Sequence, residues 1–213
     1  FLVQPLFAKW LLPYFGGTSS VWTISIFFYS TTLLLGYLYA SLLTSWPSSR
    51  ARAIHTTLLI LAGVLLLGRW VVGGSAILVP AVAGYDPIVS VLLTLLLAVG
   101  LPVLLLASTS VLAQYLYARL TTEDPYPLYA VSNLGSLLGL AAYPFVLEPF
   151  TDVPSQAAWW TVFFVAFLII LIASWRQVDR EDGATARVEV SALTGALDHR
   201  GPILLMAAIP TFL

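Results

Sequence analysis

Five long apolar runs constrain this chain more than any other feature of its sequence. About 20 apolar residues in a helix are needed to cross the hydrocarbon core of a bilayer, and the backbone polar groups there must find their partners within the helix. We therefore expect an all-α protein built as a polytopic transmembrane helical bundle. The runs cover residues 21–43, 54–72, 88–117, 128–147 and 157–175.

The composition agrees with a membrane environment and narrows the range of partners. Hydrophobic residues make up 60% of the chain and charged residues 9%, whereas an ordinary soluble domain has about 25% charged residues. A net charge of -1 gives no basis for binding nucleic acid. The absence of cysteine excludes disulfides, thiolate metal sites and thiol nucleophiles. We expect the lipid bilayer to be the main partner.

The two ends of the sequence add incomplete spans. The chain begins at Phe1 without a methionine, in an apolar segment too short to cross alone, and it closes inside another apolar segment. We expect a fragment of a longer protein, with a six-span bundle over 1–175 whose first span is truncated, a charged connector over 176–200 and the start of a further span over 201–213. Six spans, a connector and a further span are typical of major-facilitator transporters, in which two six-helix halves face each other.

The basic residues predict the orientation of the bundle. Cytoplasmic loops retain lysine and arginine during insertion, and alternate loops here carry seven basic residues on one side and two on the other. We therefore expect the loops over 44–53, 118–127 and 176–200 to be cytoplasmic, in a bacterial or archaeal inner membrane. The seven are Arg50, Arg52, Arg119, Arg176, Arg180, Arg187 and Arg200, and the two are Lys9 and Arg69.

The run over 128–147 contains small and polar residues that a purely lipid-facing helix does not need. Gly135 and Gly139 form a G-x-x-x-G pair, and Ser132 and Ser136 lie on the same side of the helix. Helices in lipid associate by close packing, which small residues permit. We expect this side of the helix to be a contact face.

Asn133 lies about one residue round from this face and allows two interpretations. A carboxamide in hydrocarbon needs a hydrogen-bond partner. Asn133 is therefore either a packing residue, bonded to a neighbouring helix or a cavity water, or a substrate contact in a central cavity. Replacing Asn133 with leucine separates the two, because collapse of expression supports packing and a folded but inactive variant supports substrate contact.

Charged and helix-breaking residues supply the remaining candidates. Lys9, Glu148 and Asp152 are predicted at the outer face, where the lysine is able to pair with one of the two carboxylates. Gly100 and Pro102 predict an interruption of the run over 88–117. Such an interruption is either a discontinuity of the kind that transporters use near substrates or a plain proline kink.

Four blocks of the sequence, taken together, resemble a known family. They read VQPLFAKWLLPYFGGTSSVW, LLLGYLYASLL, GLPVLLLASTSVLAQ and DPYPLYAVSNLGSLLGLAAYPFVLEP, over residues 3–22, 33–43, 100–114 and 124–149. These blocks and their order are similar to the membrane part of the fused major-facilitator/spermidine-synthase family. The resemblance implies a major-facilitator-like bundle followed by a soluble aminopropyltransferase-like domain.

The chain departs from that family in two respects. Family members often place amides at two positions of the span where this sequence has Thr23 and Tyr29. No G-x-G-x-x-G turn and no alternation of strand and helix patterns follows the spans, so the aminopropyltransferase-like domain is not part of these residues.

The sequence supports three functions, and in none of them do these residues perform covalent chemistry. The first is a membrane domain that anchors a soluble aminopropyltransferase-like domain or passes a small cationic or other metabolite, such as a polyamine, to it. The second is a small-molecule transporter of major-facilitator type. The third is a non-catalytic subunit that packs in a larger membrane complex. A second helical half or other membrane subunits are the expected protein partners.

Catalytic and cofactor-binding patterns are missing from the sequence. There is no paired-carboxylate site, no supported Ser/His/Asp set and no phosphate-binding loop. His55 and His199 have no His, Cys or carboxylate neighbours at metal-ligand spacing. We therefore expect no cofactor, no metal and no catalytic residue in this part of the protein.

Overall fold

All the regular structure that the computed structural model describes is helical, over residues 2–72, 84–120 and 126–188. Two π-helical turns, Leu96–Gly100 and Tyr143–Leu147, are built into longer helices. The α-helices are α1 (Val3–Phe15), α2 (Ser19–Thr44), α3 (Ser48–Val72), α4 (Pro87–Leu95), α5 (Leu101–Leu120), α6 (Tyr126–Ala142), α7 (Glu148–Phe150) and α8 (Val153–Val188).

Five helical segments within these residues are long and apolar enough to cross a membrane, which confirms the five complete spans predicted from the apolar runs. The chain is therefore an integral membrane protein, with a lipid bilayer as its environment. The segments are Ser19–Thr44, Ser48–Arg69, Pro87–Tyr115, Tyr126–Phe150 and Val153–Arg176.

Local sequence determines where several helices begin and end. α1 ends at Gly16, whose φ of 78° lies in the left-handed region that glycine adopts without steric cost. α4 begins after Asp86, whose carboxylate accepts a hydrogen bond from the Ile88 amide at 2.9 Å. Pro87 occupies the first helical position, where its missing amide hydrogen costs nothing.

The break predicted at Gly100 and Pro102 takes the form of a π-helical turn, and the helix is not interrupted. The turn Leu96–Gly100 leads directly into α5, with Pro102 in its first turn. Proline has no amide hydrogen, so the Ala98 carbonyl four residues earlier loses its usual donor. Arg69 of α3 replaces that donor, because its Nη1 donates to the Ala98 carbonyl oxygen. The helix thus continues past the proline with this carbonyl satisfied.

The helices run alternately in opposite directions, which gives the bundle two ends. At one end, which we call the Lys9 end, Lys9 of α1 pairs with Glu148 of α7. At the other, the Tyr115 hydroxyl of α5 donates to the Thr44 carbonyl oxygen at the end of α2. We call it the Arg50 end, because α3 begins there with Arg50 in its first turn. The assignment of the Arg50 end to the cytoplasm stays a prediction.

A close contact between helices joins α2 to α5 at Gly36. A Cβ atom at this position would lie 2.9 Å from the Leu104 carbonyl oxygen and 3.0 Å from the Ala107 side chain, which is too close for ordinary packing. Glycine alone therefore permits this approach of the two backbones. The core also receives two fully buried aromatic side chains from α8, Phe164 and Phe167.

Many large apolar side chains are exposed on the outside of the bundle. On α2, Ile26 and Phe27 are 64% and 61% exposed, and on α6 Leu137 is 62% exposed. In water, such surfaces would favour association with other molecules. Lipid tails solvate leucine as well as another helix does, so these faces need no protein partner in a bilayer.

The helix α8 extends beyond the span predicted over 157–175. It continues to Val188, so residues 176–188 of the predicted connector are helical. Residues 189–200 of that connector and the further span predicted over 201–213 lie outside the described residues. The three-part domain division therefore stays a prediction.

Candidate functional site

A cavity of about 620 Å³ lies between α1, α2, α5 and α6. It is bordered by the middle of α2 around Leu33, by α5 from Val103 to Gln114, and by α6 from Tyr129 to Ser136. The α5 stretch lies in the second half of the continuous helix that begins at Pro87 and runs through the π-helical turn towards the Arg50 end, and the α6 stretch is the first half of α6, which starts there. The cavity therefore extends from the middle of the bundle towards the Arg50 end.

Nine of the fifteen described residues that line this cavity carry a polar group, although transmembrane helices surround it and most of the lining surface is apolar. Each carboxamide in the lining presents both a donor and an acceptor, and each hydroxyl can do the same. None of the described lining residues carries a formal charge. The polar lining consists of three carboxamides (Gln4, Gln114 and Asn133), three tyrosines (Tyr29, Tyr37 and Tyr129) and three serines (Ser110, Ser132 and Ser136).

Some of these polar groups already have partners within the protein. The Tyr29 hydroxyl donates to the Val3 carbonyl oxygen of α1 at 3.3 Å. The Ser110 and Ser132 hydroxyls lie 3.3 Å apart and connect α5 to α6. The Ser136 hydroxyl donates to the Ser132 carbonyl oxygen within α6 at 3.1 Å. These bonds hold the walls of the cavity in place.

The other polar side chains of the lining have no hydrogen-bond partner among the described residues. A polar group that is withdrawn from water without a partner costs free energy, so these groups need a bound molecule or water in the cavity. All are half-buried or exposed, and all line the cavity. They are Gln4, Tyr37, Gln114, Tyr129 and Asn133.

The structure places the candidate residues of α6 on two adjoining faces. Ser132, Gly135 and Gly139 are buried and Ser136 is half-buried, whereas Asn133 is exposed. Within the described residues, the Asn133 carboxamide forms no hydrogen bond to a neighbouring helix, which is one of the two partners that its packing interpretation allows. It lines the cavity instead.

The outer-face candidates do not all come together. Lys9 Nζ lies 2.8 Å from Glu148 Oε1, which links α1 to α7 at the Lys9 end. Both side chains are partly exposed, so the pair contributes at most about 1 kcal/mol to stability. Asp152 instead accepts a hydrogen bond from the Ser155 hydroxyl, which holds the pKa of Asp152 below its usual range.

A second polar cluster, which sequence analysis did not anticipate, joins α2, α3 and α5. The Thr109 hydroxyl donates to the Leu105 carbonyl oxygen at 2.7 Å, so its own oxygen accepts from His55 Nε2 at 2.8 Å. Neutral imidazole then carries its hydrogen on Nε2 and a lone pair on Nδ1. His55 is fully buried, and the centroid of the Tyr39 ring lies 5.9 Å from that of the imidazole. His55 thus joins α3 to α5 through a buried hydrogen bond.

An aromatic contact joins α3 to α8 near His55. The Arg52 guanidinium carbon lies 5.9 Å from the centroid of the Trp175 ring, which connects α3 to α8. In the part of the chain that the structure describes, no three His, Cys, Asp or Glu side chains are grouped as a metal ion would require.

The polar α6 candidates named from the sequence line the cavity, whereas the polar residues of the other three helices carried no such prediction. On α2, Tyr29 and Tyr37 are eight residues apart, and on α5 Ser110 and Gln114 are four residues apart. Each spacing places two polar groups on one helix face, and that periodicity is the signal that could have revealed them. Gln4 stands alone on α1 and offers no such signal.

Comparison with known proteins adds no family to these observations. No family model matches the chain, and neither a curated protein nor a solved structure is similar to it. The class of the protein therefore rests on its own fold. In the part that the structure describes, it is an integral membrane protein whose helices form an all-α bundle, with a cavity between four of them that nine polar residues line.

Proposed function

We propose that this chain is a membrane domain that binds a small molecule in the polar cavity and moves it across the bilayer, as half of a major-facilitator-type transporter. The cavity is the observation that carries the proposal. Its volume of about 620 Å³ suits a small ligand, for which pockets of roughly 300–1,000 Å³ are usual. Polar side chains without partners are costly inside a membrane, and a ligand site is the usual reason for keeping them.

The contacts around the cavity support a change of shape during transport. α6 is joined to α5 through the hydroxyls of Ser110 and Ser132, and α1 is joined to α7 through the partly exposed pair of Lys9 and Glu148. Contacts of this kind are individually weak, so they can be exchanged at small cost. Alternating access needs such exchange, because helices rock against each other around a central site.

The resemblance to the fused family supports a second form of the proposal. In this form the bundle anchors a soluble aminopropyltransferase-like domain, or its cavity passes a ligand to that domain. The motif block over 124–149 contains the cavity residues Tyr129 and Asn133, which favours the feeding role over simple anchoring. A non-catalytic packing subunit is the third candidate, and the buried pair Gly135 and Gly139 supports it.

Ligand binding by the full-length protein in lipid nanodiscs tests the proposal. A broad metabolite panel would be screened for a rise in the thermal unfolding midpoint, and binders would then be assayed for uptake into proteoliposomes. We expect at least one binder, and we expect Asn133→Leu and Gln114→Leu each to weaken its affinity roughly tenfold without changing monodispersity. Thr57→Val is the matched control, because Thr57 is exposed on α3, outside the cavity.

The outcomes separate the candidate functions. The absence of any binder and of any uptake contradicts a ligand-binding role. A binder that the cavity variants abolish but that is not transported favours the feeding role. If expression of Asn133→Leu collapses while Gln114→Leu is expressed normally, Asn133 is a packing residue and not a ligand contact.

A further inference from the structure

We infer that the cavity takes a neutral solute that carries several hydroxyl or amide groups, and that it rejects polyamines and other organic cations. This inference rests on the proposed binding function and specifies the chemical class of the ligand. It contradicts the hypothesis, allowed by the sequence resemblance, that the ligand is a cationic metabolite. The charges and the hydrogen-bonding groups of the lining carry it.

The described lining offers a cation no negative partner. It contains no aspartate or glutamate. Among the other described carboxylates, Glu148 is paired with Lys9 at 2.8 Å, and Asp152 accepts from the Ser155 hydroxyl. A polyamine that entered the cavity would therefore give up its hydration without gaining a carboxylate from the described lining in return.

The tyrosine rings do not make up for this loss. Tyr37 and Tyr129 line the cavity and are 46% and 49% exposed, so their rings are accessible. A ring face attracts a cation, but that attraction is much smaller than the free energy needed to remove an ion from water. A polyamine carries several positive charges, and the deficit grows with each of them.

The same lining suits a neutral polar solute. Gln4, Gln114 and Asn133 lie on three different helices, and each presents one acceptor oxygen and an NH₂ donor. The hydroxyls of Tyr37 and Tyr129 donate and accept, and they have no other partner among the described residues. A solute with hydroxyl or amide groups satisfies both kinds of group at once, whereas an ammonium ion satisfies acceptors only. The site therefore discriminates by leaving its donors unpaired when a cation is bound.

Two sets of probes, applied to the full-length protein in nanodiscs, test the inference. The neutral set is myo-inositol, maltose and N-acetylglucosamine, and the cationic set is putrescine, spermidine and choline. At equal concentration, we expect a rise in the thermal unfolding midpoint with at least one neutral probe and none with the cationic probes. Gln114→Leu and Asn133→Leu should each lower the affinity for the neutral probe roughly tenfold, and Thr57→Val should leave that affinity unchanged.

A charge change at one position makes the test sharper. Asn133→Asp keeps the size of the side chain and places a carboxylate in the lining. We expect this variant to bind spermidine at least about tenfold more tightly than the parent protein does, and to lose affinity for the neutral probe. Asn133→Leu removes the amide without adding a charge, so it is the matched control and should not bind spermidine.

The outcomes distinguish this inference from the binding function beneath it. Tight binding of a cationic probe to the parent protein, lost in Gln114→Leu, would overturn the neutral-ligand inference and support the binding function. A neutral probe whose affinity is the same in both cavity variants would also overturn the inference, because the ligand would then bind elsewhere. If neither set nor the broad metabolite panel binds, both proposals are wrong. Gln114→Leu lies on a different helix and keeps the test valid if the Asn133 variants fail to fold.

Discussion

The two sides of α5 show two different ways of packing a helix in this membrane protein. On one side, Leu104 and Ser108 meet Gly36 of α2, where a Cβ atom on the glycine would lie 2.9 Å from the Leu104 carbonyl oxygen. On the other side, Ser110 faces Ser132 of α6 at the edge of the cavity, with their hydroxyls 3.3 Å apart. We call these the dry side and the cavity side of α5.

The difference indicates that the helices are held rigidly on the dry side of α5 and are able to move on its cavity side. Close backbone contact brings many atoms into van der Waals range, which is the main source of helix association in lipid. The span Tyr126–Phe150, on the cavity side, has 22% of the residues in its most apolar stretch buried, whereas Pro87–Tyr115 has 50%. We expect changes on the dry side to lower stability and changes on the cavity side to alter ligand binding.

The largest loss of stability is expected for Gly36→Ala, on the dry side. The added methyl group meets the Leu104 carbonyl oxygen, which belongs to the backbone and cannot move cheaply, so we expect a loss of about 3 kcal/mol in the free energy of unfolding. Denaturation in detergent micelles measures it. Gly68→Ala is the matched control, because nothing lies within 4 Å of a Cβ atom there, and it should cost nothing. Equal effects of the two substitutions would contradict the close-contact assignment.

Next in size is Arg69→Met, which removes the donor to the Ala98 carbonyl oxygen on the same long helix as the dry side. We expect a loss of about 2 kcal/mol in the free energy of unfolding, because the Ala98 carbonyl in the π-helical turn is left unsatisfied. Pro102→Ala restores a backbone amide four residues after Ala98, so the cost of Arg69→Met should fall in that background. A double-mutant cycle checks this, and a cost that is independent of residue 102 would disprove the link.

A smaller loss of stability is expected when the buried hydrogen bond between His55 of α3 and Thr109 of α5 is removed. Thr109→Val keeps the shape of the side chain but removes the oxygen that accepts from His55 Nε2, so we expect a loss of about 1 kcal/mol. Thr32→Val is the control, since the buried Thr32 hydroxyl donates only to the Phe28 carbonyl oxygen of its own helix. The thermal unfolding midpoints of both variants test this prediction. An equal loss of stability in Thr32→Val would show that the hydrogen bond between His55 and Thr109 does not contribute to stability.

At the Lys9 end, away from both sides of α5, Glu148→Gln should have a slight effect on stability. The partly exposed pair with Lys9 contributes at most about 1 kcal/mol, and the difference between variant and parent should shrink in high salt. Unfolding midpoints at low and high ionic strength test this. A salt-independent difference would mean that the two side chains act by packing rather than by charge.

The smallest predicted effect concerns Asp152, in the turn before α8. The Ser155 hydroxyl lowers the pKa of Asp152 in the folded protein, so its contribution to stability is present above the pKa of the unfolded chain and is lost as pH falls through the folded pKa. Ser155→Ala should therefore lower the unfolding midpoint slightly at neutral pH, and the difference from the parent should begin to shrink below about pH 4 and vanish once pH is below the folded pKa. A difference that persists in acid would point to another cause.

The positions of the helices could be predicted from the sequence, whereas one irregularity within them could not. The apolar run over 21–43 falls inside Ser19–Thr44, because each apolar run in hydrocarbon must satisfy its own backbone. The residues Gly100 and Pro102 indicated a weak point, but the outcome there depends on Arg69, which lies on another span. A donor supplied from a distant helix leaves no local trace in the sequence.

Length and apolarity were sufficient to specify the all-helical membrane class and the five complete spans. The assembled helices were needed to reveal that Asn133 shares a cavity with Gln114 and Tyr37, and that His55 is tied to Thr109. Crossing a bilayer is a local requirement on about 20 consecutive residues. A shared cavity depends on which helix faces meet, and in lipid those faces are selected by close packing and a few polar contacts, which hydrophobicity alone does not encode.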